Sequence, residues 1–168
     1  LLEYPYGCVE QTSSRLLPLG LVFSDFQRLG QSGAIREKVS DRLASERLRL
    51  TQLAGPQAIF GWWGDQTAPS AFMTAYAYYA DWVASKALGI KLPPEHWEHL
   101  LEAYKKHGDA EPLLNKVIIV WIASELGLPI KTLAEGVIEF AKEAKETKES
   151  LFSSHPLIES QSALLLLD

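Results

Sequence analysis

The run Gly7-Cys8-Val9-Glu10-Gln11 sets the only cysteine of 168 residues three positions before a glutamine. Residues three apart on a helix share a face, so the thiol and the side-chain amide can meet. Displacement of the amide nitrogen by sulfur closes an internal thioester between Cys8 and Gln11. Such a bond is a stored acylating agent, pairing an electrophilic carbonyl with a thiolate leaving group. An amine or hydroxyl that reaches it takes the Gln11 acyl group and becomes covalently attached. A lone cysteine is more commonly a small, inert, buried hydrophobe, so the neighbourhood has to decide. Tyr4-Pro5-Tyr6-Gly7 supplies a rigid turn and a residue without Cβ just before the sulfur. Thr12, Ser13 and Ser14 then lead into an apolar run, which puts Cys8 at or near a helix N-terminus. There the helix dipole stabilises a released thiolate. Glu10 falls in the same first turn, where an acid complements the dipole; that role explains it better than direct chemistry.

The elements that must position these residues are helical. Apolar periodicity predicts helices over Val9 to Leu29, Ile35 to Leu53, Ser70 to Leu88, Pro94 to Lys106, Ala110 to Leu126, Ile130 to Lys145, and Pro156 onward. Pro94 is favoured at a first helical position, and Gly89, Gly108 and Gly127 punctuate helix ends. Pro18 is expected to kink or interrupt the first helix. Strand alternation is evident nowhere. Val117-Ile118-Ile119-Val120-Trp121-Ile122-Ala123 is apolar almost all round, which predicts a helix covered on most sides. Val137, Ile138, Phe140 and Ala141 sit instead among Lys142, Glu143, Lys145, Glu146, Lys148 and Glu149, as an outer helix fading into a solvated connection. Covered and exposed helices in alternation suggest helical hairpins in two layers.

The length suits one all-α domain spanning 1–168. Hydrophobic residues make up 47 % and the net charge is −5, a balance without the basic excess of a nucleic-acid binder. A single cysteine rules out an internal disulfide framework and leaves the compartment open. No signal peptide and no apolar run long enough to cross a bilayer is found, so this segment is not expected to insert directly into a membrane. The start without methionine and the end at Leu164-Leu165-Leu166-Leu167-Asp168 read as a piece of a longer chain. His96 and His99 lie three apart beside Glu95 and Glu98, a spacing that can hold a metal. A third ligand is missing, and a solvated amphipathic helix explains the pair better. His107 sits at a helix end and His155 in a loop, so no metal or cofactor is assigned.

The stretch YPYGCVEQTSSRLLPL resembles the thioester signature of bacterial alpha-2-macroglobulin-like proteins, relatives of the complement thioester proteins. The Gly-Cys-x-Glu-Gln motif is met by Gly7, Cys8, Glu10 and Gln11. Animal members usually carry glycine where this chain has Val9, and a larger residue there resembles the bacterial members. Phe60-Gly61-Trp62-Trp63, followed by Met73-Thr74-Ala75-Tyr76-Ala77, resembles the family's aromatic loop and the "TAY" helix after it. The resemblance implies an α/α toroid of which this chain supplies an arc, an incomplete thioester domain of a much larger protein. It also implies a single-use covalent trap rather than a turnover enzyme. A protease cuts a bait region elsewhere in the parent chain, and the exposed thioester acylates a lysine amine on the attacker. The implied partners are therefore target proteases and the remaining domains of the parent. The implied location is the periplasm or cell envelope, with a lipid anchor carried by the parent as one option.

Several residues acquire roles under that resemblance. Tyr4, Tyr6, Trp62 and Trp63 are candidates to keep water from the thioester, with ordinary aromatic packing as the equal alternative. Asp109-Ala110-Glu111-Pro112-Leu113-Leu114-Asn115 resembles the loop in which complement-type relatives place a histidine that redirects the acyl group to hydroxyls. Asn115 stands at that position, as it can in protease-trapping relatives that prefer amines. The competing reading makes Asn115 a polar residue near a helix start. Two other functions remain open. Gln57-Ala58-Ile59-Phe60-Gly61-Trp62-Trp63 fits the Gln-x3-Gly-x-Trp repeat of triterpene cyclases, though in one copy and without an Asp-rich motif. A helical protein-binding scaffold with an unreactive Cys8 is the other.

Overall fold

The computed structural model describes residues 7–64, 67–93, 95–131, 133–135 and 137–138. They are all-α: α1 (Val9–Arg28), α2 (Ala34–Gln52), α3 (Ala71–Leu88), α4 (Glu95–His107) and α5 (Leu113–Glu125). Among the described residues there is no strand, only an isolated antiparallel bridge between Gly61 and Pro69. The chain divides into two compact units, Leu1–Asp109 and Ala110–Asp168.

In the first unit α3 is the central helix. It packs on α1, α2 and α4, while α1 also packs on α2. Its composition explains the position. Ala71, Ala75, Ala77, Ala80, Ala84 and Ala87 are all buried, and small side chains let neighbouring backbones approach closely without voids. Ser70 caps the helix by accepting the Met73 N–H at 3.1 Å. Gly89 closes it in the left-handed region at φ 71°, with Gly89 N–H donating to Lys86 O and Ile90 N–H to Ser85 O. Glycine enters that region without a Cβ clash, which makes it the natural helix stop.

Charged side chains tie α2 to α3. Arg47 Nε lies 2.7 Å from Asp81 Oδ1 and donates to Ser85 Oγ at 3.0 Å. Helix α1 runs without interruption through Pro18, because its flanking turns are held by tertiary packing rather than by every backbone hydrogen bond.

In the second unit α5 begins at Leu113, three residues later than the periodicity predicts. Pro112 occupies the N-cap position with ψ 154°, and a proline disfavours helical backbone at the residue before it. Gly108–Ala110 accordingly form a separate 3₁₀ turn. Val117, Ile119, Val120, Ile122 and Ala123 are buried, in line with the apolar run, while Trp121 is partly exposed. Beyond α5, residues 131, 133–135 and 137–138 are helical. The rest of the expected outer helix, the segment from Pro156, and Tyr4 and Tyr6 lie outside the described residues.

Candidate functional site

Cys8 is the N-cap of α1, in extended backbone with φ −69° and ψ 175°. Its carbonyl accepts the Thr12 N–H at 3.0 Å, so the first helical turn forms directly on it. The two side chains of the candidate pair fold back on that turn reciprocally. Gln11 N–H points at Cys8 Sγ, 3.4 Å away, and Cys8 N–H donates to Gln11 Oε1 at 3.3 Å. This is a capping box with sulfur in place of the usual hydroxyl. Cys8 is 6 % exposed, whereas Gln11 is exposed. A shielded thiol thus lies beside an acyl group that solvent-borne nucleophiles can reach.

The N–H on Gln11 Oε1 has a chemical consequence. A donor aimed at a carbonyl oxygen stabilises the negative charge that develops when a nucleophile adds to that carbon. The Cys8 backbone amide is placed to stabilise such charge at the Gln11 side-chain carbonyl.

Four contacts hold this turn. Val9 N–H donates to the Trp62 carbonyl at 3.0 Å, joining the aromatic loop to the start of α1. Glu10 accepts from Ser14 Oγ at 2.9 Å, and Ser14 Oγ meets Tyr76 OH at 3.0 Å. Gly7 is in close contact with Arg15: a Cβ there would stand 2.8 Å from a terminal guanidinium nitrogen. Arg15 is itself fixed by Glu46 at 3.2 and 3.3 Å. Any side chain at position 7 must displace a pinned guanidinium, which accounts physically for glycine before the cysteine.

The "TAY" residues acquire physical roles from the same geometry. Thr74 is fully buried; its Oγ1 donates to Ser70 O at 2.7 Å and accepts the Phe60 N–H at 3.0 Å. Ser70 N–H returns to the Phe60 carbonyl at 3.0 Å. Thr74 therefore fastens the aromatic loop to α3, the loop's Trp62 carbonyl reaches α1, and Tyr76 grips α1 through Ser14. Ser14 and Tyr76 stand in the sequence only as parts of their motifs, without a role at the site. Their signal was the polar run after Gln11 facing a tyrosine in the second block.

The indoles are not core aromatics. Trp62 and Trp63 are 49 % and 59 % exposed, and the loop's hydrogen bond to α1 comes from the backbone. Asn115 lies in the first turn of α5, in the second unit, where it donates to Glu111 Oε2 at 2.8 Å.

A second polar cluster lies between α3 and α4. Tyr78, Asp81, His96 and His99 line a cavity of about 170 Å³ with Phe60 and Ala58. Tyr78 OH donates to Ala58 O at 3.0 Å and lies 3.3 Å from His99 Nδ1. His96 Nε2 is 3.7 Å from Asp81 Oδ2 and its ring packs edge-on against Tyr78. The two histidines are thus half-buried on the side of the amphipathic α4 that meets Tyr78 of α3. Burial raises the Tyr78 hydroxyl far above its ordinary range, with the Asp81 charge adding to it. Among the described residues no group of three or more His, Cys, Asp and Glu could hold a metal ion.

Against known proteins, no family model matches the chain. Alpha-2-macroglobulin of Ralstonia nicotianae (strain ATCC BAA-1114 / GMI1000) is 48 % identical over 151 residues, covering 86 % of this chain and 10 % of that protein. The crystal structure of native alpha-2-macroglobulin from Escherichia coli, spanning domain MG7 to the C-terminus, superposes with a TM-score of 0.59. It is 22 % identical, with 82 % of this chain and 24 % of that one covered, a likeness of fold. An all-α unit that seats a cysteine and a glutamine on one helical turn thus has the fold of a segment of alpha-2-macroglobulin. The chain belongs to the bacterial alpha-2-macroglobulin family, and it spans about a tenth of the length of the relative it matches.

Proposed function

We propose that Cys8 and Gln11 form an internal thioester and that this chain is the acylating part of a protease trap. The observation that carries the reading is the reciprocal pairing of Cys8 and Gln11 across one turn. In the first step Cys8 Sγ adds to the Gln11 side-chain carbon and the amide nitrogen leaves as ammonia. In the second, a lysine amine of a captured protease adds to the same carbon. The C–S bond breaks, a new amide joins the two proteins, and sulfur leaves as a thiolate that takes up a proton. The Cys8 N–H stabilises the oxygen in both steps. Each molecule reacts once, so Cys8 and Gln11 are reagents rather than turnover catalysts.

Support for the fold side of this reading comes from the helix pairing around α3, which suits an arc of an α/α toroid. Protease capture, a bait region in the parent and a periplasmic or envelope location are proposed from family membership. Asn115 is proposed as the residue that favours amines over hydroxyls, with Glu111 as the partner that orients it. The test is exposure of the full-length protein to methylamine and, separately, glycerol. Methylamine should attach at Gln11 with one thiol released per molecule. A thiol that is free before treatment, with no adduct afterwards, would refute the thioester. Faster labelling by glycerol at equal concentration would refute the role of Asn115.

A further inference from the structure

A cavity of about 250 Å³ between α1 and α2 is lined by Arg15, Arg42, Ser45, Glu46, Arg49 and Gln52, with Leu48 at its edge. The α2 members recur at three- and four-residue spacing, so one helical face presents them together. Three arginines and a single carboxylate line it, in a chain whose net charge is −5. Glu46 is only 4 % exposed and is already engaged by Arg15 and by Arg42 at 2.5 Å. Arg49 gains nothing from it. Its Nε is shielded from solvent and has no hydrogen-bond partner. A shielded donor without an acceptor is costly.

We propose that this cavity is a binding site for a small tetrahedral oxyanion of the phosphate class. Guanidinium forks match the oxygens of such an anion in pairs. Arg49 supplies the free fork, Arg15 and Arg42 supply further positive charge, and Ser45 and Gln52 offer neutral donors at the rim. The anion gives the shielded Arg49 Nε the acceptor that it lacks. Because the Arg15 guanidinium also packs on Gly7, the site adjoins the turn that carries Cys8. The proposal nevertheless stands whether or not a thioester forms.

Calorimetric titration of the full-length protein with inorganic phosphate, at ionic strength matched with sodium chloride, tests it. Saturable binding is expected, with Arg49→Gln weakening it about tenfold, the loss expected for one charge-assisted contact. Arg28→Gln, at an exposed pair with Asp25 elsewhere on α1, should bind as the parent does. Without phosphate, Arg49→Gln should melt no lower than the parent, since it removes a shielded donor that lacks an acceptor. Indistinguishable behaviour in phosphate and chloride would overturn the site, as would parental affinity in Arg49→Gln.

Discussion

The start of α1 and the cluster between α3 and α4 use polar groups in opposite ways. Around Asp81, ionisable groups face one another: Arg47 and His96 lie against the carboxylate, whose Oδ1 nonetheless accepts no hydrogen bond, and Tyr78 is spent on a backbone carbonyl and His99. That region has the density of titratable groups expected of an active site, yet its groups cross-link helices. At Cys8 and Gln11 the contacts are neutral, long and confined to a single turn. Braces from Trp62, Ser14 and Arg15 hold the surrounding turn rather than the reacting atoms. A group tightly bound to a charge is held in place; a group that must form and break a covalent bond is kept close and lightly bound.

The sharpest way to break that contrast is Cys8→Ala. Covalent capture of amines should vanish altogether, while the loss of a helix cap lowers stability by only about 0.5–2 kcal/mol. Retained capture, measured by methylamine incorporation, would place the chemistry elsewhere. Thr74→Val tests whether the site depends on its distant brace. It leaves the Phe60 N–H buried without an acceptor, at about 1–3 kcal/mol by urea unfolding, and it should slow methylamine uptake by loosening the loop behind Val9.

Asp81→Asn probes the other region through pH. Burial holds the Asp81 carboxyl above its ordinary value, against the opposing pull of Arg47 and His96. The folded state therefore keeps its proton more tightly than the unfolded state does. The associated stability is full below the unfolded carboxylate pKa of about 3.9 and is lost as pH rises through the folded value. Asparagine cannot ionise, so unfolding midpoints should shift in the variant's favour as pH rises past the unfolded carboxylate pKa of about 3.9. A pH-independent difference would argue against the buried carboxylate. The smallest effect is expected at Ala58, whose φ of 56° lies in the left-handed region beside Gln57 at 63°. Ala58→Gly should relieve strain and raise stability by up to about 1 kcal/mol, without changing amine capture.

Much of the helical framework is legible in the sequence because period and punctuation agree. α1 starts at Val9 as the Pro-Tyr-Gly turn and the Ser-Ser run suggest, and α3 ends at Gly89. The start of α5 is not, because apolar periodicity carries on across Pro112 while the restricted residue before it cannot. The centrality of α3 was equally hidden: an alanine-rich segment has little periodic contrast, and its burial is decided by how closely neighbours approach. At the site, Cys8 and Gln11 are legible because the interaction is local, three residues apart. Thr74, Tyr76 and Ser14 act across more than ten residues of sequence. Without the fold, "TAY" is only a pattern; with it, Thr74 holds a loop and Tyr76 holds a helix.

The thioester itself is read most directly by the intact mass of freshly prepared full-length protein. Closing the bond expels ammonia, so the account predicts a deficit of about 17 Da against the mass calculated from sequence, abolished in Cys8→Ala. A parent protein at full mass, with its Cys8 thiol open to alkylation from the outset, would contradict it.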